Sequence, residues 1–156
     1  MKSVELANFR HTYDIKVRNY EIDWQGIVHN GNYLLYFEVA RVDYFKTVGL
    51  KVDERSINGS VRVVIVRNEL DYFNSATFDD HVKIYTRVLS INNSSFTCEA
   101  MMMHSEKQIP IAKNIAVLVW TDPKTGKSTP VPVELRKLVD AFEEGKASIH
   151  WPNVEI

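Results

Sequence analysis

Apolar residues alternate with polar ones at the start of the chain. Tyr13, Ile15 and Val17 are interleaved with Asp14, Lys16 and Arg18, the pattern of a half-buried strand. The period changes at Asn32. From there to about Val48, residues Leu34, Leu35, Phe37, Val39, Ala40, Val42, Tyr44, Phe45 and Val48 fall nearly all round a helical wheel. That predicts a helix buried on most of its sides, with Gly49 placed to end it as the C′ residue. Val61 to Phe73 is rich in β-branched residues and reads as a long strand. Val82–Ile91 and Ser95–His104 read as strands joined by the turn Asn92-Asn93-Ser94, and Lys107-Gln108 leads into a further strand, Ile109–Thr121. The run Asp122-Pro123-Lys124-Thr125-Gly126-Lys127 is a turn. Pro132 to Glu144 predicts a closing helix with one apolar stripe, Val133, Leu135, Leu138, Val139 and Phe142, and Ala147 to Ile156 reads as irregular.

Strand, helix, four strands on short connections and a helix make an α+β fold, because short links between consecutive strands imply an antiparallel sheet. A helix apolar on nearly every face requires a sheet that curls around it. Its charged members, Glu38, Arg41 and Asp43, must then find partners, since an unpaired buried charge is costly; Glu38 and Arg41 are spaced for an (i, i+3) ion pair. Met101, Met102 and Met103 alternate between the two faces of their strand and read as packing.

Composition narrows the field. A chain of 156 residues fits one domain, 1–156, and 45% hydrophobic with 25% charged residues is ordinary for a globular protein with a core. Net charge of −1 argues against nucleic acid or an anionic membrane as partner. No apolar run reaches bilayer length and no signal core opens the chain, so a cytoplasmic location is expected. Cys98 is the single cysteine, read as a small buried hydrophobe. The five histidines, His11, His29, His81, His104 and His150, show no metal-ligand spacing, so no metal is expected.

The candidate chemistry lies in Tyr20 to Tyr33. Asp23 comes after a short strand-like run, a loop intervenes, and His29-Asn30-Gly31 opens the long helix. A helix start leaves backbone N–H groups unpaired and carries the positive end of the helix dipole, which suits a developing oxyanion. A carboxylate facing it across a carbonyl would make a hydrolytic site. Read from residues alone, however, Asp23 is as well explained as a turn residue. Asn30-Gly31 is likewise a hairpin signal, outweighed here by the helical period beyond it, with Asn30 or Asn32 as cap.

Asp23, Gly26, Val28, Asn32 and Tyr33, together with Tyr36, Phe37, Glu38, Ala40 and Arg41, resemble the signature of the 4-hydroxybenzoyl-CoA thioesterase group of hotdog-fold proteins. The match is best over Val17 to Gly49. The resemblance implies a hotdog fold, a curved antiparallel sheet wrapped around a long buried helix, and hydrolysis of acyl thioesters. It makes Asp23 the catalytic carboxylate, as nucleophile or general base, and the Asn30 N–H the oxyanion donor. Gly31 permits close backbone approach, His29 is a wall residue or hydrogen-bond donor, and Tyr33 and Tyr36 are candidates for the acyl pocket. The substrate carrier would be coenzyme A or an acyl carrier protein, with no further cofactor, and the assembly a homodimer or homotetramer. The turn at Asn92-Asn93-Ser94 lacks the basic cluster that some members use for coenzyme A phosphates, which leaves Arg62, Arg67, Lys83 and Arg87 as candidates. Two rival readings are a non-catalytic acyl-CoA binding module and a hotdog enoyl-thioester hydratase or dehydratase acting through Asp23 and His29.

Overall fold

Strand β1 (His11–Lys16) carries the first alternation, burying His11 and Ile15 and exposing Thr12, Asp14 and Lys16. The computed structural model describes residues 5–52 and 62–152. After β1 come α1 (Asn32–Val48), β2 (Arg62–Tyr72), β3 (His81–Ile91), β4 (Ser95–His104), β5 (Pro110–Thr121), α2 (Val133–Phe142) and β6 (Ser148–Ile149). The sheet order is β1-β3-β4-β5-β2, with β6 added on β3.

Most neighbours run antiparallel for reasons visible in the chain. β1 pairs with β3 from His11↔Thr86 to Lys16↔His81. A tight turn joins β3 to β4, where the Asn92 N–H donates to the Ser95 carbonyl at 2.8 Å. β2 meets β5 with Phe73 N–H on the Ile111 carbonyl and Thr121 Oγ1 on the Arg62 carbonyl, so the two strands run in opposite directions. This is the α+β antiparallel architecture expected from the sequence. The expected start of β2 at Val61 lies outside the described residues.

Tertiary contacts divide the chain into two units. One is Met1–Tyr44 with Glu69–Arg87 and Glu99–Asn114; the other is Phe45–Asn68 with Val88–Cys98 and Ile115–Ile156. In the first, Tyr33, Tyr36, Phe37 and Ala40 from α1 pack with Ile15, Val17, Val82, Ile84, Met102 and Ile111. Met101 and Met103 point to the opposite face and pack with Phe9. The charges of α1 are partnered there: buried Arg41 bonds Glu38 at 2.5 Å and Asn114 at 3.3 Å, and half-buried Asp43 Oδ2 lies 2.7 Å from Nε2 of buried His11.

In the second unit, Gly49 has φ +107 and the Leu50 N–H reaches back to the Phe45 carbonyl, a Schellman end to α1. Cys98 is buried. Arg136 on α2 is fully buried, and its guanidinium donates to the carbonyls of Val131 (3.1 Å), Asn93 (2.8 Å) and His150. Desolvation lowers its pKa from the ordinary arginine value.

Two expectations are corrected. α1 is not buried on most sides: Tyr33, Tyr36, Phe37, Ala40, Arg41, Tyr44, Phe45 and Val48 form a single buried stripe, while Leu34, Leu35 and Val39 are exposed. The apolar pattern all round the helix therefore overstates what one chain covers. The tail is not wholly irregular either, because Ser148 and Ile149 pair in parallel with Ser90 and Ile91 of β3. A two-residue strand is too short for any periodic signal. Residues 153–156 lie outside the described part.

Candidate functional site

Asp23 opens a tight loop. An antiparallel bridge between Ile22 and Val28 closes its base, and the Asp23 N–H donates to the Ile27 carbonyl at 2.9 Å. Gly26 takes φ +80, a conformation that other residues adopt only with strain, and its N–H returns to the Asp23 carbonyl. The carboxylate joins in, since Oδ1 accepts the Gln25 N–H at 2.8 Å. That leaves Oδ2 without a hydrogen bond among the described residues. The turn role and a chemical role for Asp23 are thus compatible, because they use different oxygens.

The loop is held from two sides. The Val28 N–H donates to the Ala76 carbonyl, and Thr77 Oγ1 donates to the Gly26 carbonyl at 2.7 Å; Asp80 in turn accepts the Thr77 N–H. On the other side stands Glu21, buried and hydrogen-bonded by the Arg18 backbone N–H (2.8 Å), Nε (2.9 Å) and Nη2 (2.8 Å). Burial by itself would raise the Glu21 pKa. The Arg18 hydrogen bonds outweigh it and hold the carboxyl below its ordinary range. Its carbonyl accepts from the His29 N–H (3.0 Å) and from the Asn32 side chain (2.9 Å), which ties the helix start to the segment before the loop.

The backbone amides from Val28 to Asn32 form the other half of the site. Val28 donates to Ala76, His29 to Glu21, Asn32 to the His29 carbonyl, and Gly31 to Nδ1 of the His29 ring at 3.1 Å. The Asn30 N–H has no partner among the described residues. Asn30 is exposed and lies just before α1, where backbone amides ordinarily lack intrachain partners, so this donor is free to meet a ligand.

A cavity of about 510 Å³ is lined by Asp23, Trp24, Gln25, Ile27, Val28, His29 and Asn30 from the loop, Tyr33 from α1, and Tyr72 to Ser75 where β2 ends. The structure thus brings Asp23, His29, Asn30 and Tyr33 together. Gly31 is not on the wall, but its amide meets the His29 ring; a Cβ there would lie 3.3 Å from Nδ1. Tyr36 is not on the wall either. It is buried, and its hydroxyl faces the Glu21 carboxylate without a hydrogen bond of ordinary geometry. Burial first, and then the neighbouring Glu21 charge, raises its pKa above the usual phenol value. Tyr33 is raised too, chiefly by burial, and its hydroxyl accepts the Ala76 N–H at 3.3 Å.

Sequence reasoning missed the wall supplied by Tyr72 to Ser75 and the anchor formed by Arg18 and Glu21. The (i, i+3) spacing of Arg18 and Glu21 was a usable signal. Nothing local could have placed Tyr72, which lies 42 positions from the Asn30 carbonyl that its hydroxyl bonds. None of the four basic candidates lines the cavity. Arg87 pairs with Glu99 at 2.9 Å, and Lys83 lies 3.9 Å from Asp14. Among the described residues, no cluster of three or more His, Cys, Asp or Glu could hold a metal ion, and no helix is long and apolar enough to cross a membrane.

An antiparallel sheet with a long helix packed against it is the architecture of the hotdog class. Within it, the chain belongs to the thioesterase-like superfamily, whose family model matches residues 17–139. The match is at the level of the superfamily. A thioesterase from Thermus thermophilus, solved in complex with coenzyme A and zinc, is 28% identical, with a TM-score of 0.76 over 88% of this chain and 96% of that one. A chloroplastic acyl-acyl carrier protein thioesterase of Arabidopsis thaliana is 26% identical over 133 residues, covering 85% of this chain and 70% of that protein. An acyl-CoA thioesterase of Haemophilus influenzae is 23% identical over 94 residues, or 60% of this chain and 69% of that protein.

Proposed function

We propose that this protein hydrolyses acyl thioesters, with acyl-CoA as the substrate class, Asp23 as the catalytic carboxylate and the Asn30 N–H as the oxyanion donor. The observation that carries the reading is a pairing: a carboxylate with one oxygen unengaged and an amide with no partner line the same cavity. With the thioester carbonyl between them, Asp23 attacks the carbon or takes a proton from a water that does. The oxygen gains charge against the Asn30 N–H, where one such donor contributes roughly 3–4 kcal/mol. Collapse breaks the C–S bond, and the thiolate leaves and is protonated. On the general-base route this yields the acid directly, whereas on the nucleophile route a water then hydrolyses the acyl–Asp23 anhydride, releasing the acid and restoring the carboxylate.

A thioester carbonyl is activated enough, and thiolate a good enough leaving group, that one carboxylate serves without a Ser-His-Asp triad. This chemistry calls for no metal or redox cofactor; coenzyme A arrives as part of the substrate. The reading includes self-association as a dimer or tetramer. Exposed Leu34, Leu35 and Val39 on α1 support it, as does β2, which is the last strand on its side of the sheet.

One observation favours a second carrier. The basic side chains expected to meet coenzyme A phosphates are absent from the cavity wall, and two of them are engaged with carboxylates. A carrier protein delivers the thioester without needing those contacts inside the site. Free-thiol release should therefore be measured with matched acyl-CoA and acyl-carrier-protein panels, with short, long and aromatic chains, in wild type and Asp23→Asn. Release that collapses in the variant supports hydrolysis through Asp23, and the panel assigns the carrier. An intact thioester that co-purifies and survives incubation would instead indicate a binding module. Hydration of an enoyl thioester without thiol release would indicate a hydratase.

A further inference from the structure

The proposed oxyanion donor is a single backbone amide on an exposed loop, so something must fix its direction. We propose that His29 and Tyr72 are positioning residues that clamp the Asn30–Gly31 peptide and thereby aim the Asn30 N–H into the cavity. The clamp rests on the hydrolytic reading above.

The geometry is a closed set of contacts around one residue. The Asn30 carbonyl accepts from the Tyr72 hydroxyl at 3.1 Å, and the Gly31 N–H donates to His29 Nδ1 at 3.1 Å. Those are the two polar ends of one planar peptide, which cannot then rotate about its axis. The preceding peptide is held by its carbonyl, since His29 C=O accepts the Asn32 N–H at 2.9 Å. Of the four polar groups flanking the Asn30 Cα, only its N–H is left open. Pinning both peptides pins φ and ψ at Asn30, and an oxyanion donor is effective to the extent that it needs no reorganisation when charge develops.

Each side of the clamp is itself supported. The Tyr72 ring packs edge-on against Tyr33, with centroids 5.4 Å apart, and Tyr33 is anchored through its hydroxyl to Ala76. On the other side, glycine at 31 leaves room for the ring: a Cβ there would lie 3.3 Å from Nδ1, so the imidazole would have to give by a few tenths of an ångström. The contact also fixes the state of the ring. A nitrogen that accepts an N–H carries no proton, so the neutral ring holds its hydrogen on Nε2. His29 therefore acts here through the nitrogen nearest its own backbone, by holding the chain.

The test uses the difference between the two ring nitrogens. Asparagine places an oxygen where Nδ1 sits and keeps the acceptor; glutamine places its amide further out, near the Nε2 position, and does not. His29→Gln and Tyr72→Phe should each lower kcat by about ten-fold, the worth of one neutral hydrogen bond, with KM within about two-fold. His29→Asn should restore most of what His29→Gln loses. Hydrogen exchange at the Gly31 amide gives an independent readout: faster by about ten-fold in His29→Gln and near wild type in His29→Asn. Equal losses in the Asn and Gln variants, a change confined to KM, or unchanged Gly31 exchange in His29→Gln would overturn the clamp. Asp23→Asn is measured alongside. Absence of thiol release from the wild type would sink the hydrolytic reading itself, full activity in Asp23→Asn would sink the role of Asp23, and loss there with unchanged kcat in His29→Gln would sink the clamp alone.

Discussion

Two turns in this molecule are built almost alike. In each, an aspartate opens the turn and its Oδ1 accepts the N–H two residues on, Gln25 to Asp23 at 2.8 Å and Lys124 to Asp122 at 2.7 Å. In each, a glycine at positive φ, Gly26 at +80 and Gly126 at +70, returns its N–H to that aspartate's carbonyl. Each is closed by a bridge, Ile22↔Val28 or Thr121↔Ser128. The aspartate's fold-level task is therefore the same twice, and turn geometry does not separate a catalytic candidate from a reversal of the chain. The difference lies downstream of each turn. After Asp122 the chain continues into a short extended stretch; after Asp23 it enters a helix start with an open amide, above a cavity.

The largest effect should come from the paired substitutions Asp23→Asn and Asp122→Asn. The first should cost about 10²-fold or more in kcat/KM for thiol release, while the second leaves turnover unaltered. Equal activity in both would dissolve the distinction between the turns.

Next comes the anchor that the second turn lacks. Glu21→Gln should destabilise the fold by about 1–2 kcal/mol, less than a fully buried charged contact because Arg18 is half exposed. Its pH signature has a definite sign. The folded pKa of Glu21 lies below its ordinary value of 4.5, so the unfolded chain binds the proton first and the stabilisation is complete above that value. It is lost as pH falls through the folded pKa. Denaturant midpoints measured from neutral pH downward should converge for variant and wild type in acid; a constant gap would be the wrong result.

Gly26→Ala and Gly126→Ala should each cost about 1–2 kcal/mol of stability, because a Cβ meets nothing within 4 Å at either and only backbone strain remains. Only Gly26→Ala should also slow turnover. Smallest of all, Thr77→Val removes the hydroxyl that holds the Gly26 carbonyl and should cost about 0.5–1 kcal/mol, with Thr77→Ser recovering it. Thermal melts of the three proteins side by side decide that prediction.

Much of the fold was legible because it rests on periodicity. The helix Asn32–Val48 and the strands His81–Ile91 and Ser95–His104 come from runs long enough to show a period. The helix's single buried stripe was not legible, since Leu34, Leu35 and Val39 are as apolar as their buried neighbours and the sequence does not say what faces them. In the site, Asp23, Asn30 and the helix start were visible as a local pattern. Tyr72 was not, because its role depends on a hydrogen bond across 42 positions. The same holds for the division of labour within Asp23, where one oxygen makes the turn and the other is left open.

Arg136 carries a consequence for where the chain can be cut. Its guanidinium donates only to backbone carbonyls, one of them on His150, in a tail whose sequence reads as irregular. Trimming the protein before Ser148 would strip the two-residue strand from β3 and leave a buried cation short of an acceptor, at a cost of about 1.5–3 kcal/mol. Residues that look like trailing sequence are, in this chain, the latch on its second helix.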